Sequence, residues 1–139
     1  MRIATGLILA ALTWAGGAAA QGEYAGAVTG GWTGLVSEPG PDAVEYRMHA
    51  EIVLDRDGSP AATVRYESLN CAGTWTAIGN FATSWRFREE ITDDPGARCA
   101  PELVVETSPV GLNDEGLSVR WTEPGRDEPV ATAVLHRDP

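Results

Sequence analysis

The sequence predicts an all-β domain closed as a small antiparallel up-and-down barrel of about eight strands, with a two-sheet sandwich as the alternative. Three observations predict it. Short runs alternate apolar and polar residues with the period of two that half-buried strands require. Clusters of Gly, Asn, Asp and Pro punctuate those runs at close spacing. Consecutive strands are joined by turns too short for a crossover, and closing such a sheet removes its exposed edges.

The chain has 139 residues, and its first segment reads as an export leader. Arg2 supplies a positive start, Ile3 to Ala15 form an apolar stretch, and Ala18-Ala19-Ala20 fits a small-residue cleavage site. Cleavage after Ala20 leaves residues 21–139 as one domain with a flexible, Gly-rich start over 21–29. The apolar stretch is shorter than the roughly 20 residues that span a bilayer. The expected product is soluble, secreted or periplasmic, and without stable membrane insertion.

The strands follow in order. Trp32–Ser37 opens the set. Val44–Leu54 places Val44, Tyr46, Met48, Ala50, Ile52 and Leu54 on one face. Asp55-Arg56-Asp57-Gly58 supplies a hairpin turn, with glycine where positive φ is wanted, and Ala61–Glu67 returns antiparallel. Gly73–Ile78 and Phe81–Ile91 form a second hairpin around Gly79-Asn80. The later strand puts Phe81, Trp85, Phe87 and Ile91 on one side and Arg86, Arg88 and Glu90 on the other. Asp93-Asp94-Pro95-Gly96 turns the chain, and Glu102–Thr107, Gly116–Thr122 and Pro129–Arg137 complete the set.

Composition narrows the partners. The sequence holds ten basic residues, all arginine, against twenty acidic ones, a formal net charge of −10. A surface of that sign disfavours nucleic acid or an anionic membrane, because phosphate recognition needs a basic face. It suits a basic protein, a cation or a sugar, and it also simply keeps an exported protein in solution. Two cysteines in an oxidising compartment pair more readily than they bind metal, so a Cys71–Cys99 disulfide is expected. The loop-entropy argument gives it roughly 3 to 4 kcal/mol of stabilisation.

Two resemblances accompany this reading. Gly30-Gly31-Trp32-Thr33-Gly34 resembles the Gly-x-Trp first strand of lipocalin-type barrels. That resemblance implies that Trp32 closes one end of the barrel and that a late-strand arginine, Arg120 or Arg137, covers its indole. By residue type alone Trp32 is an ordinary core tryptophan. The second resemblance runs from Val64 to Trp75 (VRYESLNCAGTW), through Phe87–Ile91 (FREEI) and Cys99, to Val119-Arg120-Trp121. It is similar to a small exported bacterial β-domain that also forms the extracellular part of some bacterial serine/threonine protein kinases. It implies an extracytoplasmic sensing or binding module with no assigned activity. This chain carries no kinase domain.

Glu89 is the candidate polar residue of the interior. It shares parity with Phe87 and Ile91 on the apolar face, where a carboxylate needs a cation, several donors or a proton. Arg65 and Arg120 are the expected cations, with Tyr66 or the backbone near Cys71 as donors. The residue serves either as a ligand-binding or catalytic group or as a structural tie between the Cys71 loop and its neighbouring strand. A bulge would instead turn it outward.

Catalytic motifs are absent from the sequence: no H-E-x-x-H, C-x-x-C, G-x-S-x-G or phosphate-binding glycine loop occurs. His49 and His136 are far apart, His49 has outward parity, and Asp55-x-Asp57-Gly58 lacks the later ligands of a calcium loop. No metal, cofactor or enzymatic activity is expected. The favoured function is a monomeric, non-enzymatic binding module for a small ligand or cell-envelope component, with Trp75, Tyr66 and Arg65 as contacts. The alternative is an inhibitor of, or binding protein for, an exported enzyme such as a protease or lysozyme, met through acidic complementarity.

Overall fold

The computed structural model describes residues 25–139, so the expected leader over residues 1–20 lies outside the described residues. Eight antiparallel strands run β1 (Gly30–Glu38), β2 (Val44–Leu54), β3 (Pro60–Tyr66), β4 (Cys71–Phe81), β5 (Ser84–Asp93), β6 (Glu102–Val110), β7 (Gly116–Thr122) and β8 (Pro129–Arg137). Each pairs with its sequence neighbours and β8 returns to β1, closing an up-and-down barrel. The sandwich alternative is thereby excluded.

Period-two alternation places one row of each strand inside. Met48, Ala50 and Ile52 of β2, Ala62, Val64 and Tyr66 of β3, and Leu117, Val119 and Trp121 of β7 are all buried. A small barrel has room for large side chains only where small ones face them. Trp32, Trp75, Trp121 and Phe87 accordingly share the interior with Ala50, Ala62, Ala131 and Ala133. The rows fade at the strand ends: Val44 and Leu54, expected on the buried face of β2, are 45% and 44% exposed beyond the barrel wall.

The β4–β5 hairpin departs from the sequence reading. Its strands reach Phe81 and Ser84, which pair with each other, so the turn falls at Ala82-Thr83 rather than at Gly79-Asn80. A register shift between Ala77 and Gly79 absorbs one residue and lengthens the hairpin. Phe81 is consequently at the tip and 82% exposed, not part of the inner row.

The two ends of the barrel differ. At the end where β1 begins, residues 25–27 form a helical turn whose Ala25 is buried together with Val28. Of the start expected to be flexible over 21–29, residues 21–24 lie outside the described residues and Ala25 and Val28 pack against this end of the barrel. Trp32 Nε1 donates to the Val28 carbonyl at 2.8 Å, and the Arg137 guanidinium lies 4.4 Å from the Trp32 ring centroid. Arg137 also donates to the carbonyls of Thr29 and Ala27. Of the two arginines considered for this place, Arg137 occupies it and Arg120 does not. The opposite end carries the β3–β4 turn and the β5–β6 loop, joined by the Cys71–Cys99 disulfide.

Candidate functional site

The open end of the barrel holds the candidate site. A cavity of about 270 Å³ enters there, lined by apolar side chains that include Ile91, Leu103 and Val130, by Tyr46, Tyr66 and Trp121, and by Glu89. Glu38, Glu123 and Arg98 are the exposed charged residues of its lining. The Asp94 carboxylate shapes the β5–β6 side of the mouth by accepting from the backbone N–H of Arg98 and of Cys99, each at 2.9 Å. The disulfide then ties that loop to the start of β4.

Glu89 is 2% exposed. Its inward direction follows from strand parity: Trp85 and Phe87 precede it on the same inner row of β5. Its Oε2 accepts three hydrogen bonds, from Tyr66 Oη at 2.5 Å, Trp75 Nε1 at 2.6 Å and Trp121 Nε1 at 3.3 Å. Trp121 Nε1 also lies 3.1 Å from Tyr66 Oη, so the indole N–H is shared between the two oxygens. Since an indole N–H only donates, Oε2 is held as an acceptor whatever the charge of the carboxyl. Edge-to-face packing of Trp121 on both Tyr66 and Trp75 fixes the donors around it.

The other oxygen, Oε1, accepts no hydrogen bond among the described residues. Among the described residues no fully buried side-chain polar atom lacks a partner, and Glu89 lines the cavity, which leaves Oε1 as the atom that reaches it. Burial pushes the Glu89 carboxyl above its ordinary value, and the hydrogen bonds from Tyr66, Trp75 and Trp121 only partly oppose that rise. Any proton taken up goes to Oε1, the oxygen free of donors. The cavity therefore meets either an anionic acceptor or an O–H donor at this one atom. Burial and the adjacent Glu89 hold the Tyr66 hydroxyl well above its ordinary value, keeping it a neutral donor.

The expected cationic partners of Glu89 are corrected by the same parity. Arg65 and Arg120 are exposed on the outer wall, each one residue from an inward aromatic, Tyr66 and Trp121. Arg120 reaches the Asp127 carbonyl, 3.4 Å away, and makes no contact with Glu89. The backbone near Cys71 supplies none of the observed donors. Tyr66 and Trp75 both donate to the buried carboxyl, but only Tyr66 also lines the cavity, and Trp121, the third donor, was missed as a site residue. Its signal was available: Leu117, Val119 and Trp121 alternate on β7.

The outer wall carries a separate polar row in which His49 lies 2.6 Å from Glu67 and 2.9 Å from Thr33. Among the described residues, the one grouping close enough to hold a metal ion is Cys71, Asp94 and Cys99, and its two sulfurs are bonded to each other. No helix among the described residues is long and apolar enough to cross a membrane.

No family model and no curated protein matches the chain. Among solved structures, the chain is similar to the crystal structure of Rv2717c from M. tuberculosis, at 15% identity and a TM-score of 0.40, covering 81% of this chain and 94% of that one.

Proposed function

We propose that the protein is an exported, non-enzymatic binding module that takes one small ligand in the mouth of the barrel. One observation carries the reading: a cavity of about 270 Å³ has at its wall a buried carboxyl whose Oε1 has no protein partner. The lining mixes apolar and polar side chains, and this volume lies just below the roughly 300–1,000 Å³ typical of drug-sized ligands. A compact ligand fits. The disulfide supports the exported part of the reading, since such bonds persist in oxidising compartments.

Thermal-shift screening of the native chain with compact apolar and amphipathic compounds tests the proposal. A ligand of the folded state raises the melting temperature in proportion to the logarithm of its concentration once saturating. Ile91→Trp, which fills the mouth from β5, should remove that shift while the variant still melts cooperatively. A shift that survives Ile91→Trp would place binding outside the mouth and sink the reading.

A further inference from the structure

We propose that the ligand of this mouth is a small organic cation, an ammonium group on a short apolar stem whose nitrogen meets Glu89 Oε1. The inference rests on the binding reading above and names its ligand class. It starts from a missing partner. A carboxyl that is 2% exposed is stable as an anion only beside a cation or enough donors. Three donors serve Oε2, while none of the ion pairs among the described residues includes Glu89. The protein supplies half of an ion pair and leaves the other half to whatever enters the cavity.

The surroundings of Oε1 suit an ammonium on three counts. The walls present Tyr46, Tyr66 and Trp121, and aromatic faces attract a cation within about 6 Å of the ring centre. Tyr46 and Tyr66 meet edge to face with centroids 5.8 Å apart, so their faces point in different directions around the opening. Apolar Leu69, Ile91, Leu103 and Val130 give an alkyl or aryl stem a dry wall. At the rim, Glu38 and Glu123 outnumber Arg98, and the whole chain carries −10, so the approach is attractive to a cation. Tyr46 Oη donates to Glu38 at 2.8 Å, which orients that rim carboxylate. An anionic ligand would have to overcome this acidic rim, whereas a cation supplies the counterion that the ionised form of Glu89 lacks.

The experiment compares three probes of matched length on the native, disulfide-bonded chain by isothermal titration: n-hexylammonium, 1-hexanol and hexanoate. At about pH 8 and low salt, hexylammonium should bind at least about tenfold more tightly than hexanol, with hexanoate weakest. Its affinity should fall as the pH is lowered and Glu89 takes up a proton, while hexanol is unaffected. Glu38, Glu123, Arg98, Tyr46 and Tyr66 also face the mouth. Glu89→Gln, which keeps an oxygen for the three donors, separates Glu89 from them: the ammonium preference and its pH dependence should both disappear. If that variant does not fold, the ranking of the three probes on the native chain still decides. Equal or tighter binding of hexanoate or hexanol would overturn the cation class and leave the binding module standing. Failure of all three probes overturns the cation class as well, and failure of the broader compound panel besides would remove the binding reading itself.

Discussion

A carboxyl buried without a cation gives this protein a stability that depends on pH in a defined direction. Burial raises the Glu89 pKa in the folded chain above the 4.5 of the free group. The folded state therefore holds its proton to higher pH than the unfolded state does. Its contribution is fully present below about pH 4.5 and is lost as the pH rises through the folded value. Glu89→Gln has no such group. Urea denaturation of both forms across a pH series should show the native chain losing stability relative to the variant as the pH rises above about 4.5. A difference of opposite sign would mean that the three donors hold Glu89 ionised to lower pH than in the unfolded chain, and a constant difference that burial and the donors cancel. The inward direction of Glu89 was legible from its parity with Phe87 and Ile91. Its partners were not, because strand parity says which way a side chain points and not which side chains of other strands meet it across the lumen. The arginines were chosen for charge, yet each stands one position out of phase with the inner row.

At the scale of the elements, the mouth is lined from β1, β2, β3, β5, β6, β7 and β8, together with Leu69 after β3 and the loop residues Arg98, Cys99 and Ala100. The residues that carry the second resemblance, including Tyr66, Cys71, Trp75, Glu89, Cys99 and Trp121, gather around this one end. Tyr66 and Cys71 are directly paired across β3 and β4, which brings the disulfide beside the donor cluster. The disulfide closes a loop spanning 28 positions and containing the whole β4–β5 hairpin. Replacing both cysteines, as Cys71→Ala with Cys99→Ala, should cost roughly 3 to 4 kcal/mol by the loop-entropy argument. It should also free the β5–β6 loop at the rim. Chemical denaturation reads the first effect and amide hydrogen exchange at Arg98 the second; unchanged exchange would show that Asp94 alone holds the loop. The hairpin inside this loop was misplaced from sequence because Gly79-Asn80 is a good turn signal. The bulge next to it instead keeps both residues in the strand and moves the reversal to Ala82-Thr83.

For the whole molecule, closure depends on the seam between β1 and β8. Gly34 lies on it, and a Cβ added there would stand 2.5 Å from the Val134 carbonyl oxygen and 2.8 Å from Leu135 Cδ2. The first contact is with backbone, which a rotamer change cannot relieve. Gly34→Ala should therefore destabilise the barrel by about 3 kcal/mol, the upper part of the range for overpacking. The measurement is the urea midpoint at unchanged slope; a midpoint within error of the native one would mean that the seam yields to a methyl group. The other end of β1 is held differently, by Trp32 under Arg137, and there the residue type and the late-strand position were readable in advance. The burial of Ala25 and Val28 was not, because a Gly- and Ala-rich segment has no periodicity until the barrel gives it an end to cover.

The amino-acid pattern by itself determined the all-β class, the strand order, the inward rows and the pairing of the two cysteines. These follow from local alternation, turn chemistry and the count of thiols. Only the tertiary structure decided that the barrel is sealed at one end and open at the other, and that Glu89 meets two indoles and a phenol instead of an arginine. It also decided which carboxyl oxygen faces the cavity. Closure and stagger bring together residues as distant as Tyr66 and Trp121, and that juxtaposition is set by how eight twisted strands complete a circle rather than by any spacing along the chain.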